Sequence, residues 1–291
     1  MTKEKRKLSV LLILILVLLV NSYGAQVQIK GGQDSVSVSR YRHFLRGIKL
    51  PYWFWLNEGR VQPLEKRFSS GDLNLIKSLG LTFVRIPVDM ANLYEPERKD
   101  KLNPLALQIL LSGIEKILKS GLAVNFDLHS ISQETGGSNY SGPLGQDEKF
   151  TAEFINFWQH LAEKLAIFDP DRLLIEPMNE PVFLGEEYKW PPIQKELLQA
   201  IREKLPEHTL LATGAFWSNL PGLLALEPVD DPNVWYNFHF YEPHIFTHQG
   251  ATWGADYDKY LRHVPYPSSP ESVEQAILLV ENDTLKQYLR D

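Results

Sequence analysis

The segment Ile175-Glu176-Pro177-Met178-Asn179-Glu180-Pro181 sets a carboxylate just after an apolar run, where a strand would give way to a loop. Comparable junctions recur at Val84-Arg85-Ile86-Pro87, Asp127-Leu128-His129, Phe216-Trp217 and His239-Phe240-Tyr241-Glu242-Pro243. In a barrel of parallel strands such C-terminal ends converge on one pocket, however far apart they lie in sequence. The chemistry open to this set is carboxylate acid–base work. Glycosidic bond hydrolysis, for instance, needs one carboxylic acid to protonate the leaving oxygen and a second carboxylate as nucleophile or base. Glu180 suits the first role, and Asn179 beside it can hydrogen-bond a sugar hydroxyl or orient its neighbour. Singly, each residue has a plainer reading: a strand-to-loop junction for Asn179-Glu180-Pro181, an ion-pair partner for Arg85, satisfied buried histidines for His129 and His239. Their ordered recurrence at strand ends is what argues for a site.

The elements that would position them alternate. Strands are expected at Phe44 to Leu50, Thr82 to Val88, Leu122 to Leu128, Leu173 to Met178, Thr209 to Thr213 and Val234 to Tyr241. Between them, apolar residues near helical spacing mark helices at Gly71 to Leu79, Pro104 to Lys119, Glu148 to Phe168 and Ile193 to Leu205. A short helix at Leu220 to Leu226 and a long one at Ser272 to Leu289 complete the set. Strands that are apolar nearly throughout belong to a parallel sheet covered by helices. An open nucleotide-binding sheet would carry a Gly-rich turn after its first strand. This chain has Pro51-Tyr52-Trp53-Phe54-Trp55 there instead, so the expected fold is α/β, a TIM (β/α)8-type barrel with about six β/α units present.

Composition narrows the partners. With 30 Lys+Arg against 36 Asp+Glu the chain carries −6 and no concentrated basic surface, which argues against nucleic acid. The absence of cysteine excludes thiol chemistry, disulfides and cysteine-ligated metals. Lys3, Lys5, Arg6 and Lys7 precede the unbroken apolar run Val10 to Val20, which ends near Ser22, Gly24 and Ala25. That is the layout of a secretory signal, and the run falls short of the about 20 residues of a membrane span. The expected organisation is a signal peptide at 1–25, a lead-in at 26–43 and a barrel domain at 44–291, exported to the periplasm or beyond the cell without a stable membrane span.

The order of these strand ends resembles glycoside hydrolase family 5, the cellulase-like barrels. The matching segments are Arg46-Gly47-Ile48-Lys49-Leu50, Val84-Arg85-Ile86-Pro87, Asp127-Leu128-His129, Asn179-Glu180-Pro181 and His239-Phe240-Tyr241, with a further likeness at Phe246 to Trp253. The resemblance implies a retaining, endoglucanase-like hydrolysis of a β-linked polysaccharide with two glutamates, no metal and no cofactor. It implies Glu180 as acid/base, Asn179 on a sugar hydroxyl, Arg85 and His129 on the nucleophile's side, and His239 and Tyr241 lining the cleft. Trp53, Trp55, Trp217 and Trp253 are candidate sugar platforms, each with core or rim packing as the alternative.

One part of that pattern has no counterpart. The family's nucleophile is a second glutamate ending strand seven, and no apolar strand ending in Glu follows Tyr241. Glu242 should point away from the side Tyr241 takes, Glu281 falls in a helical pattern, and Glu176 could face the barrel interior at a position the family does not use as nucleophile. Strands seven and eight are therefore expected to be missing, in a fragment of a longer gene product or in a short barrel that pairs with something. Two other readings stand beside hydrolysis: a carbohydrate-binding remnant without turnover, and a metal-dependent hydrolase built on His239, His244 and His248.

Overall fold

The computed structural model describes residues 38–55, 61–131, 141–254 and 257–290. The expected signal peptide and the lead-in up to residue 37 lie outside the described residues. Six strands form one sheet: β1 (Gly47–Lys49), β2 (Phe83–Asp89), β3 (Ala123–Ser130), β4 (Leu173–Glu176), β5 (Leu210–Thr213) and β6 (Val234–Asn237). They are parallel and lie in sequence order. Parallel neighbours need a crossover of a dozen or more residues, and helices supply it. The sheet does not close among the described residues, since β1 and β6 remain its two edges. The architecture is the barrel type expected from the sequence, left open after six units.

Each main helix has a local reason to start where it does. In α1 (Ser70–Ser78), Ser69 and Asp72 form a capping box. In α2 (Pro104–Lys119), Asn103 caps the amide of Ala106 and Pro104 occupies the first turn. In α3 (Glu148–Leu165), Asp147 caps Phe150. Helix α4 (Trp190–Arg202) begins with two prolines and buries Trp190, whose indole donates to the carbonyl of Thr213 at 2.8 Å. The helices bury one stripe each against the outward side chains of the strands; Phe126 of β3 meets Trp158 of α3 edge-on at 5.7 Å.

Two expectations need correction. The long helix expected at Ser272 to Leu289 is two helices, α5 (Pro270–Leu278) and α6 (Asp283–Arg290). Asn282 breaks the run because its side chain accepts from the Leu285 amide at 2.9 Å and starts a second helix. Glu281 is exposed as expected, but it lies between the two helices rather than within one. The sixth strand stops at Asn237 rather than Tyr241, because the amide of His239 leaves the sheet and donates to the Ser218 carbonyl at 2.7 Å.

The lead-in is joined to the barrel floor from Val38 onward. A short helix, Val38–His43, carries Arg40, which is 8% exposed. Arg40 donates to Asp171, the Glu207 carbonyl, Thr209 and Asn233, residues that precede β4, β5 and β6. This one guanidinium ties three strand entrances together at the end opposite the candidate site.

Candidate active site

Alternation decides which side chains reach the barrel interior, because successive residues of a strand point to opposite faces. On β3, Val124, Phe126 and Leu128 pack outward, which turns Asn125, Asp127 and His129 inward. Register brings Arg85 opposite Asn125, Pro87 opposite Asp127, and Asp127 opposite Glu176. The interior toward the C-terminal ends is consequently polar, although the strands read as apolar.

Arg85 is the centre of this interior. Its Nε and Nη2 donate to Glu176 at 2.8 and 2.7 Å, Nη2 also donates to Asn179 Oδ1 at 2.7 Å, and Nη1 pairs with Asp127 at 3.0 Å. Burial alone would lower the guanidinium, but the charges of Asp127 and Glu176 outweigh it and raise it above its ordinary value. Asp127 is fully buried, and desolvation pushes its carboxyl up to about 6 despite the opposing pull of Arg85. Its Oδ2 lies 2.7 Å from Nδ1 of His129. Burial, followed by the positive charges of Arg85 and Lys49, holds His129 well below its ordinary range. A neutral His129 that donates from Nδ1 to Asp127 has Nε2 as an acceptor, the form suited to a sugar hydroxyl.

Glu180 stands beyond this cluster. Its side chain is 16% exposed, whereas Asp89, Asp127 and Glu176 are at most 1% exposed. Its Oε1 lies 2.6 Å from Nδ1 of His239. The preceding Asn179, 1% exposed, is held by Arg85 through its side chain and by Ser218 Oγ through its carbonyl at 2.7 Å. Next to it Pro181 accepts from the Trp217 amide at 3.3 Å. The turn that makes these contacts is strained: Phe216, Trp217 and Ser218 have φ of 61°, 55° and 56°. It also needs Gly214, where a Cβ would stand 2.1 Å from the carbonyl carbon of Gly222.

The structure brings Glu180, Asn179, Arg85, His129 and His239 into one network. Tyr241 adjoins it edge-on to His239 at 6.3 Å, and burial followed by the Glu180 charge raises its phenol. The tryptophans divide. Trp55 is at the site, edge-on to His129 at 4.2 Å, with the Lys49 ammonium 4.5 Å over its ring and Tyr52 stacked beside it. The Lys49 ammonium is lowered by burial and then by Arg85. Trp53, also a sugar-platform candidate, belongs to the core: it is 2% exposed, donates to the Gln62 carbonyl, and packs where any Cβ on Gly113 of α2 would meet it at 2.2 Å. It presents no face to a ligand. Trp217 is half-buried on the strained turn, and Trp253 is 71% exposed and takes part in none of the contacts that assemble the cluster.

Sequence reasoning gave no site role to Asp127, Asn125 or Asn237, and weighed Glu176 only as an inward-facing candidate nucleophile. The signal for the first two was present in Asn125-x-Asp127-x-His129, polar at every second position of an apolar strand. Among the described residues no group of three His, Cys, Asp or Glu is disposed to hold a metal. His244 and His248 stack face to face at 3.8 Å, and His239 turns to Glu180. No helix among the described residues is long and apolar enough to cross a membrane.

Comparison with known proteins bears on the family and the fold. The family described as Cellulase (glycosyl hydrolase family 5) matches residues 45–282. Endoglucanase C of Acetivibrio thermocellus is 26% identical over 237 residues, covering 80% of this chain and 68% of that protein. Cellodextrinase A of Ruminococcus flavefaciens is 28% identical over 226 residues, covering 74% of this chain and 63% of that protein. The structure of Thermotoga maritima Cel5A in complex with cellobiose superimposes with a TM-score of 0.65 at 26% identity, over 82% of this chain and 73% of that one.

Proposed function

The chain belongs to the cellulase family, glycosyl hydrolase family 5, and on that premise we propose that it is an exported, endoglucanase-like glycosidase acting on a β-linked polysaccharide, with Glu180 as its acid/base. The observation that carries this reading is the contrast among carboxylates at the strand ends. Unlike the buried Asp89, Asp127 and Glu176, Glu180 is partly exposed; it is hydrogen-bonded to His239 and follows an asparagine locked to Arg85. In the first step Glu180 protonates the leaving glycosidic oxygen, and in the second it takes a proton from the attacking water. His129 and Asn179 hold sugar hydroxyls, and Trp55 lines the cleft wall beside His129. The retaining route also needs a second carboxylate about 5–5.5 Å from Glu180. Asp89, Asp127 and Glu176 are unsuited, being buried and engaged with neighbouring side chains. The resemblance assigns that carboxylate to a strand beside β6.

One relative is named an endoglucanase, and Thermotoga maritima Cel5A has been solved with cellobiose and with mannotriose, so the glycan is left at the level of a β-linked polymer. Export rests on the basic and then apolar N-terminus, and N-terminal sequencing of the mature protein tests it. The test of function is release of reducing ends from a soluble β-1,4-glucan, abolished in Glu180→Gln. Turnover that survives this substitution removes Glu180 from the mechanism. The commitment of the three buried carboxylates favours a second reading, carbohydrate binding without hydrolysis. Calorimetric binding of cello-oligosaccharides with no reducing ends released selects it.

A further inference from the structure

We propose that Tyr52 is a further sugar platform of the cleft, holding the pyranose unit next along the chain from the one beside Trp55 and His129. This rests on the reading of the cleft as a β-glycan site and extends that site by one unit. The loop after β1 is pinned at both ends: the Leu50 amide donates to the Arg85 carbonyl at 2.9 Å, and the Phe54 carbonyl accepts from the Asp89 amide at 2.9 Å. Within the loop Trp53 and Phe54 turn into the core. Tyr52 turns the other way. It is 50% exposed, and its backbone is left-handed with φ of 62°. Its ring lies 18° from parallel with that of Trp55, the centroids 6.4 Å apart.

The turn does not account for a tyrosine at this position. A left-handed residue returns the chain from Pro51 to the buried Trp53, but glycine takes that conformation freely and a tyrosine only under strain. Nor does the core account for it, since half of the side chain lies outside. What the strained backbone achieves is the placing of a ring. The Arg67 guanidinium stands 5.4 Å over that ring and backs one side of it, while Trp55 lies alongside. Trp55 in turn meets His129 edge-on at 4.2 Å, which ties the pair to the site. Two nearly parallel rings side by side form one apolar surface leading outward from His129. Their offset is comparable with the length of one unit in an extended β-linked chain. The C–H face of a pyranose is the apolar surface such a ring accepts. The ammonium of Lys49 over Trp55 and the guanidinium of Arg67 are donors only, suited to the hydroxyls that rim that face. A tyrosine kept merely as a partner for Arg67 would stabilise the loop and be indifferent to the length of a bound glycan.

Tyr52→Gly in the full chain separates the two, because it deletes the ring and relieves the left-handed strain in one step. Binding of cellobiose, cellotriose and cellotetraose is measured by calorimetry, with Glu180→Gln in both parent and variant so that the ligands stay intact. The parent should bind more tightly as the ligand lengthens. Tyr52→Gly should weaken cellotetraose on the order of three- to tenfold, and cellobiose least, with a melting temperature unchanged or raised. Tyr52→Phe keeps the ring face and should bind cellotetraose within about twofold of the parent. Tyr52→Asn, which also tolerates a left-handed backbone, replaces Tyr52→Gly if that variant does not fold. Affinities equal to the parent's at every length overturn the proposal, and a lowered melting temperature beside them makes Tyr52 a packing partner of Arg67. A loss of the same size for cellobiose as for cellotetraose, or as large in Tyr52→Phe as in Tyr52→Gly, overturns it too. Failure of the glycan reading is seen separately, as a parent chain that binds neither cello- nor manno-oligosaccharides, and it removes the proposal as well.

Discussion

Replacing Arg85 by Met tests whether the interior cluster is held together by charge. The substitution keeps a long apolar side chain but removes four donor contacts, leaving Asp127 and Glu176 buried without a cation. Removing one partner of a buried ion pair costs about 3–5 kcal/mol, because the other charge is left uncompensated. For a domain of this size about 1 kcal/mol corresponds to roughly 2–4 °C in melting temperature, so the expected loss near pH 8 is roughly 6–20 °C. The loss should also depend on pH, and its sign is fixed. A carboxyl whose folded value is raised favours the protonated folded state, so stability falls as pH rises through that value and returns as pH falls below it. Asp127 is already pushed up to about 6 with Arg85 present. Without the guanidinium Asp127 should protonate more readily still, and the deficit of the variant should shrink between pH 8 and pH 5. Thermal melts followed by circular dichroism across that range are the assay. A deficit below about 3 °C at pH 8, or one of equal size at pH 5, would refute an electrostatic role and leave Arg85 as packing.

The remaining predictions address the same division between core and cleft. Trp53→Ala should cost about 3–5 kcal/mol in urea unfolding, as expected for emptying a core site, while Trp55→Ala should cost less than about half of that and weaken cello-oligosaccharide binding; equal stability losses would remove the distinction. Asp127→Asn should leave stability within about 1 kcal/mol of the parent at pH 8, because the amide oxygen can still accept from Arg85 and His129 while a buried charge is removed. The same variant should flatten the pH dependence of stability centred near the value of about 6 for Asp127. A slope that persists there assigns it to another group.

Much of the scaffold was legible because its signals are local. Helix α2 runs from Pro104 to Lys119 as read, since Asn103 and Pro104 declare its start and Gly121 its stop. Strand ends and long-range contacts were less so. Nothing in Val234 to Tyr241 announces that the chain leaves the sheet after Asn237, because the cause is the carbonyl of Ser218 on a strained turn. Trp53 and Trp55 are two residues apart in one aromatic run, and only Gly113 on α2 and His129 on β3 decide which is core and which is cleft. Glu176 could be seen to face inward by alternation, but its four donors come from residues 51 to 91 positions away.

Burial sorts chemically similar carboxylates at these strand ends into different tasks. A carboxylate taken out of water must be met by donors or a cation, or it takes up a proton instead. Asp127 and Glu176 are met by Arg85, and in being met they lose the freedom to approach a sugar. Glu180 escapes that requirement because it lies beyond Glu176, the last residue of β4, where solvent can reach it. Its position is nevertheless inherited from the buried set. Arg85 holds Asn179 by the side chain, Ser218 holds the same residue by its carbonyl, and the Ser218 carbonyl in turn anchors the amide of His239. The ion cluster is therefore weakly justified as a source of stability, since apolar packing can replace such pairs at little cost. Its justification is geometric: it fixes Glu180 and His239 at 2.6 Å on a sheet whose two edges are otherwise unpaired among the described residues.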